Sequence, residues 1–178
     1  MLVWVTGLSG TGKSSIAARL RELGHWSIDA DDHGMSGWRN QETGEIMPSP
    51  PVDQRPADWL DRFDWSIDVA RVHRLRQEAN VAGDVVFLLG AVANESEVLA
   101  IADVVVCLVA DADILQRRLT TRHANDFGRA PGDIDAVMSW LGRFEKNHIA
   151  IGATMVDATQ PLSTVVAEVL AASSAARS

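Results

Sequence analysis

The sequence predicts an α/β protein: a parallel sheet covered on both faces by helices, a three-layer α/β/α sandwich. Three observations carry that expectation. The strand-like runs are uniformly apolar and rich in β-branched residues, as strands buried on both faces are. They alternate with segments of helical period, the pattern of a parallel sheet. The chain has 178 residues, 47% hydrophobic and 22% charged, the composition of one globular domain spanning 1–178.

Each element follows in order. Leu2-Val-Trp-Val-Thr6 is a buried strand ending at Gly7. Residues 13–23 place Ile16, Ala17, Leu20 and Leu23 at helical spacing, with Gly24 as the stop signal. His25–Ile28 reads as a second strand, ending at Asp29. Residues 33–56 hold four of the six prolines and read as a long loop, the kind that is usually functional. From Ala57 to about Asn80 the pattern Leu60, Phe63, Ile67, Ala70, Val72, Leu75 and Ala79 predicts one or two helices. Asp84–Gly90 and Val104–Val109 are the third and fourth strands. A helix follows over 112–122, then a polar stretch over 122–132, then a helix over 134–149. Thr154–Asp157 is the fifth strand. Pro161 suits the first turn of a last helix, because its missing N–H would be unpaired there anyway. Residues 171–178 are expected to fray.

Charge and composition narrow the partners. Acids outnumber bases 24 to 16, a net charge of −8, which disfavours nucleic acid. Cys107 is the one cysteine, so neither an intrachain disulfide nor an all-cysteine metal site is expected. No apolar run approaches the ~20 residues that span a bilayer, and no secretory signal is expected. The expectation is a soluble cytoplasmic protein with neither nucleic acid nor membrane as partner.

Gly7-Leu8-Ser9-Gly10-Thr11-Gly12-Lys13-Ser14 matches G-x-x-x-x-G-K-[ST] between a buried strand and a helix. Glycines let the backbone turn so that the amides of Gly10, Thr11, Gly12, Lys13, Ser14 and Ser15 point inward at phosphate. The helix adds its positive end. The Lys13 amine reaches the outer phosphates, and the Ser14 hydroxyl is placed for Mg²⁺. Lys13 is one of only two lysines, so its position in the motif is informative. The dinucleotide fingerprint G-x-G-x-x-G competes for the same residues but lacks its last glycine, where Ser15 stands. After the second strand comes Asp29-Ala-Asp31-Asp32-His33. Phosphoryl transfer to a hydroxyl needs a metal near the phosphates and a group to take the acceptor proton. The Asp29/Asp31 pair can supply both; the other reading is a solvated acidic turn. The third strand ends in Leu88-Leu-Gly90-Ala-Val92 with no acid, which argues against motor-type ATPases.

Gly7–Ser14, this acidic cluster and the closing Val156-Asp-Ala-Thr159-Gln-Pro161 together resemble the shikimate kinase and gluconate kinase branch of the P-loop kinases. The resemblance implies a five-stranded parallel sheet in the order 2-3-1-4-5, ATP over the loop, and a mobile lid over 121–132. It implies that Asp29 holds Mg²⁺ through water and that Asp31 binds the acceptor hydroxyl as the base. It makes Arg122 the lid arginine on the transferring phosphate, Arg118 a wall of the adenine side and Arg129 a second lid arginine. Arg143 stands where this branch often has an acceptor-binding arginine. Adenine would sit against the backbone near Asp157 and Thr159, where the other reading is a plain strand-to-helix turn. Of the glycine triplet found in shikimate kinases, only Gly90 is present. Gly90 and Asn94 are acceptor contacts in this reading, with a close-packing glycine as the alternative.

The acceptor region is expected over 33–80. Trp38, Trp59 and Trp65 surround it, either as a wall for a flat acceptor or as core. Trp38 and Arg39 are the loop pair of most interest, Arg39 being a natural clamp for an anionic acceptor. The expected activity is ATP-dependent, Mg²⁺-requiring transfer to a small-molecule acceptor: a sugar acid, polyol, nucleoside or nucleotide. The alternative is an NTP hydrolase or nucleotide-dependent switch with no such acceptor.

Overall fold

In a computed structural model, which describes residues 1–31, 34–47, 50–51, 54–56, 58–121 and 132–176, the chain alternates strand and helix. It runs β1 (Leu2–Gly7), α1 (Lys13–Glu22), β2 (Trp26–Asp29), β3 (Ser36–Asn40), β4 (Ile46–Met47), α2 (Trp59–Arg62) and β5 (Phe63–Ile67). There follow α3 (Val69–Ala82), β6 (Val86–Leu89), α4 (Glu95–Leu99), β7 (Val104–Val109) and α5 (Ala112–Thr121). The last elements are α6 (Asp133–Ala150), β8 (Thr154–Asp157) and α7 (Leu162–Ala175).

Five strands form the central sheet in the order β2-β6-β1-β7-β8, every pair parallel. Counted along the chain within that sheet, the order is 2-3-1-4-5, as the family resemblance implied. All six residues of β1 are buried, which is why its side chains are apolar on both faces. Val3, Val5, Phe87, Leu89 and Leu108 face α1 and α7 through Ile16, Leu20, Val165 and Val169. Leu2, Trp4, Val86 and Leu88 face the other way, toward Ile67, Val72 and Val98. Since the strands are parallel, Gly7, Asp29, Leu89, Val109 and Asp157 all end at one edge. In open parallel sheets that edge is where ligands bind.

Three expectations need correction. The stretch 33–56 is more than a loop: it contains β3 and β4. Residues 63–67, expected to be helical, form β5, which pairs antiparallel with β3 in a second sheet, β4-β3-β5. Phe63, Trp65 and Ile67 share one face of β5 and Asp64 and Ser66 the other, a period of two that the helical spacing of Leu60, Phe63 and Ile67 disguised. Trp38 opposite Trp65 supplies the partner that decides it. Finally, α7 continues through Ala175, with Ser173 buried, past the point where fraying was expected. The short α4 between β6 and β7 was not foreseen. Among the described residues no helix is long and apolar enough to cross a membrane.

Candidate phosphate and acceptor site

β1 delivers the chain to Gly7, where an added Cβ would lie 2.7 Å from Thr11 Oγ1 and 2.9 Å from the Leu108 carbonyl oxygen. Only a hydrogen fits that approach. The loop then turns through Gly10 and Gly12, whose φ values of 95° and 92° are ones that residues with a Cβ rarely adopt. Thr11 braces it from within, its hydroxyl donating to the Leu8 carbonyl at 2.8 Å. Gly12 is the N-cap of α1 and brings no capping side chain, and the first turn carries no acid. Neither the N-cap nor the first turn thus offers the leading amides of α1 a carboxylate, the arrangement of an anion cradle. Lys13 Nζ donates to the carbonyls of Gly7 and Leu8, which holds the amine over the loop. Ser14 and Ser15 are exposed on the first turn.

Asp29 closes β2 at the same edge, and α1 packs against that strand. Its side chain is 2% exposed. Oδ1 accepts from the Asp31 amide at 3.1 Å, while Oδ2 has no hydrogen-bond partner among the described residues. A buried acceptor left so costs about 1–3 kcal/mol or more, unless a cation or its water shell takes it. Among the described residues no group of three His, Cys, Asp or Glu is placed to hold a metal. The Asp29 carboxylate, buried with one oxygen unpartnered among the described residues, and the exposed Ser14 hydroxyl fit Mg²⁺, which is bound through few side chains together with phosphate and water.

Asp31 is exposed at the site's mouth, and its Oδ1 accepts from Trp65 Nε1 at 2.9 Å. Trp65 is half-buried on β5. Trp38 beside it is only 4% exposed, its ring 5.4 Å from Trp65 and 5.5 Å from Trp59, both edge-on. The Arg55 guanidinium lies 5.3 Å from the Trp38 ring centre. Trp38 and Trp59 are thus the centre of a small aromatic core, and Trp65 is the indole that reaches the acids. Arg39 alternates with Trp38 along β3, which puts it on the opposite face of that sheet from Trp65.

The remaining expected residues fall as follows. Arg118 donates to the Gly10 carbonyl at 3.2 Å and to the Ala158 carbonyl at 3.0 Å, bracing the loop against the β8–α7 turn. In that turn Asp157 accepts from the Thr159 amide, the Thr159 hydroxyl and Gln160, and these donors hold its carboxyl below the usual range. At Gly90 an added Cβ would come 2.8 Å from the Trp4 ring, so this glycine is required by packing. The Asn94 amide is engaged by both backbone groups of Ile67, at 2.9 and 3.1 Å, and fastens β5 beside the sheet edge. Arg143 is exposed on α6. Arg122, Arg129 and most of the expected lid lie outside the described residues.

Sequence reasoning missed two groups. One is the Trp65–Asp31 pair, which a distance of 34 residues conceals. The other is Glu95, which accepts from Trp4 Nε1 at 2.9 Å and lies 3.2 Å from His148 Nε2. An acid buried with a histidine on a different helix leaves no local signal.

A family model described as an AAA domain matches residues 3–137. The fold is similar to a gluconokinase from Sinorhizobium meliloti 1021, at 22% identity, covering 97% of this chain and 91% of that one, with a TM-score of 0.55. A shikimate kinase from Acinetobacter baumannii in complex with shikimate matches at 14% identity, covering 95% and 90%, with a TM-score of 0.59. A deoxyadenosine kinase from M. mycoides matches at 12% identity, covering 98% and 99%, with a TM-score of 0.50. The resemblance drawn from the motifs thus holds at the level of the fold.

Proposed function

This chain belongs to the AAA domain family, and on that premise we propose that it is an ATP-dependent phosphotransferase. It moves the γ-phosphoryl group of MgATP to a hydroxyl of a small molecule: a sugar acid, polyol, nucleoside or nucleotide. One observation carries this reading. The uncapped, glycine-shaped loop with Lys13 shares a sheet edge with the buried Asp29 and the exposed Asp31.

The roles follow from that placement. The amides of residues 10–15 and the Lys13 amine bind phosphate oxygens, Lys13 exchanging its two carbonyl contacts for them. Ser14 and Asp29 would hold Mg²⁺, which would supply positive charge against the phosphates. Asp31 accepts the proton of the acceptor hydroxyl as its oxygen bonds to the γ-phosphorus and the bond to ADP breaks. Arg118 keeps the loop in register with the turn where the adenine would lie. Arg122 is assigned to the transferring phosphate and Arg129 and Arg143 to the closed site.

The test is ADP formation from MgATP over a panel of gluconate, shikimate, polyols, nucleosides and nucleotides. A phosphorylated product formed one-for-one with ADP supports transfer. Steady acceptor-independent hydrolysis with no phosphorylated product from any panel member would mean a hydrolase or switch instead.

A further inference from the structure

We propose that Trp65 is a positioning residue for Asp31: its indole N–H sets the direction in which the carboxylate meets the acceptor hydroxyl. The inference rests on the transferase reading for its consequence, though not for the pairing itself. Asp31 is exposed, and an exposed aspartate ordinarily samples several rotamers. Here Oδ1 accepts from Trp65 Nε1 at 2.9 Å. That indole is not free to follow the carboxylate. It stands on β5, opposite Trp38 on β3, and its ring meets the Trp38 ring at 5.4 Å and 69°. Trp38 is in turn fixed edge-on against Trp59, which stacks on Phe63 at 4.0 Å. At the far end of β5, both backbone groups of Ile67 are held by Asn94. The donor therefore belongs to a braced sheet, and it directs a side chain that hangs from a turn.

This gives the second sheet a reason to be there. A base must sit within hydrogen-bond reach of the proton it takes, and small misplacements are costly. A donor to a charged acceptor is the stronger kind of hydrogen bond, and one fixed by packing adds direction.

The test uses the full chain and three variants. Trp65→Phe keeps an aromatic ring and removes the N–H. Trp59→Phe changes the same aromatic core at an indole whose N–H is buried without a hydrogen-bond partner among the described residues. Asp31→Asn removes the charge. Nitrogen-15 NMR reads the indole N–H resonances, and Trp65→Phe identifies the one belonging to Trp65. That resonance should move in Asp31→Asn; if it stays, the pairing is absent and the proposal falls, whatever the enzyme's activity. Rates are then read with MgATP and the panel member phosphorylated fastest. Trp65→Phe should lower kcat about tenfold or more, the loss of one charge-assisted hydrogen bond, with KM for MgATP unchanged. Trp59→Phe should leave kcat within about twofold. Equal losses in both variants would show packing rather than positioning. A panel with no phosphorylated product would fail the transferase reading alone, and the indole shift would still decide the pairing.

Discussion

At the scale of single residues, Lys13 and Asp29 show what this loop is built to meet. Lys13 donates to the carbonyls of Gly7 and Leu8 at the start of a helix whose N-cap brings no capping side chain. Asp29 keeps a buried oxygen with no hydrogen-bond partner among the described residues. Such arrangements cost stability in a protein that binds nothing, and they suit one that binds a metal–phosphate pair. Lys13→Ala should therefore cost far more in rate than in stability. Transfer should fall by about 10²–10³, the loss of one fixed charge on the transferring group. Thermal stability should change by about 1 kcal/mol or less, because the amine's bonds are partly solvated. Phosphate release in parallel with thermal melting checks both. Normal turnover, or an unfolded variant, would remove Lys13 from its role.

At the scale of elements, a buried ion pair ties α6 to α4, and Glu95 in turn accepts from Trp4 of the sheet. His148 and Glu95 side chains are 4% and 15% exposed. Burial alone would lower the His148 pKa, but Glu95 and the Phe144 carbonyl outweigh it and raise it above the usual value. Burial would raise Glu95, but contacts from His148, Thr6 and Trp4 hold it low. Cys107 nearby is pushed up to about 12 by burial and by Glu95 and Glu145, so its thiol stays protonated at moderate pH. The raised histidine contributes stability fully below its ordinary value of 6.5 and loses it as pH rises through the folded value. The lowered glutamate contributes above its ordinary 4.5 and loses it as pH falls through the folded value. Both contributions are whole only between those ordinary values. Removing one partner of a buried pair costs about 3–5 kcal/mol. His148→Gln should thus melt roughly 6–20 °C below the natural protein near pH 5.5, given ~2–4 °C per kcal/mol at this size. The gap should narrow by pH 9. Melting curves at the two pH values check it, and a gap independent of pH would show that packing alone is at work.

At the scale of the whole molecule, what could be read in advance depended on how local its cause is. The five parallel strands were legible because burial on both faces forces uninterrupted apolar runs, as in Val86–Leu89 and Val104–Val109. The phosphate loop was legible because its backbone requires glycine at fixed positions, seen in the φ values of Gly10 and Gly12. The second sheet was not. Its strands are short, and Phe63 and Ile67 satisfy both a helical period with Leu60 and a period of two with Trp65, until Trp38 arrives from 27 residues before Trp65 to choose one. The packing roles of Gly90 and Asn94 were hidden for the same reason: Trp4 and Ile67, which engage them, are distant in the chain. The loop, the β2 acids and the β8 turn thus come together only when the fold is complete. A ligand that grips all three should stabilise the whole chain. A ligand at a hundred times its dissociation constant adds about 2.7 kcal/mol, or roughly 5–11 °C at this size. MgATP should raise the melting temperature by that order, and ATP with EDTA by less, since Asp29 then faces phosphate with no cation between them. In Lys13→Ala the rise should shrink. Equal rises with and without Mg²⁺ would leave the phosphate loop in place and take Asp29 out of the metal's shell.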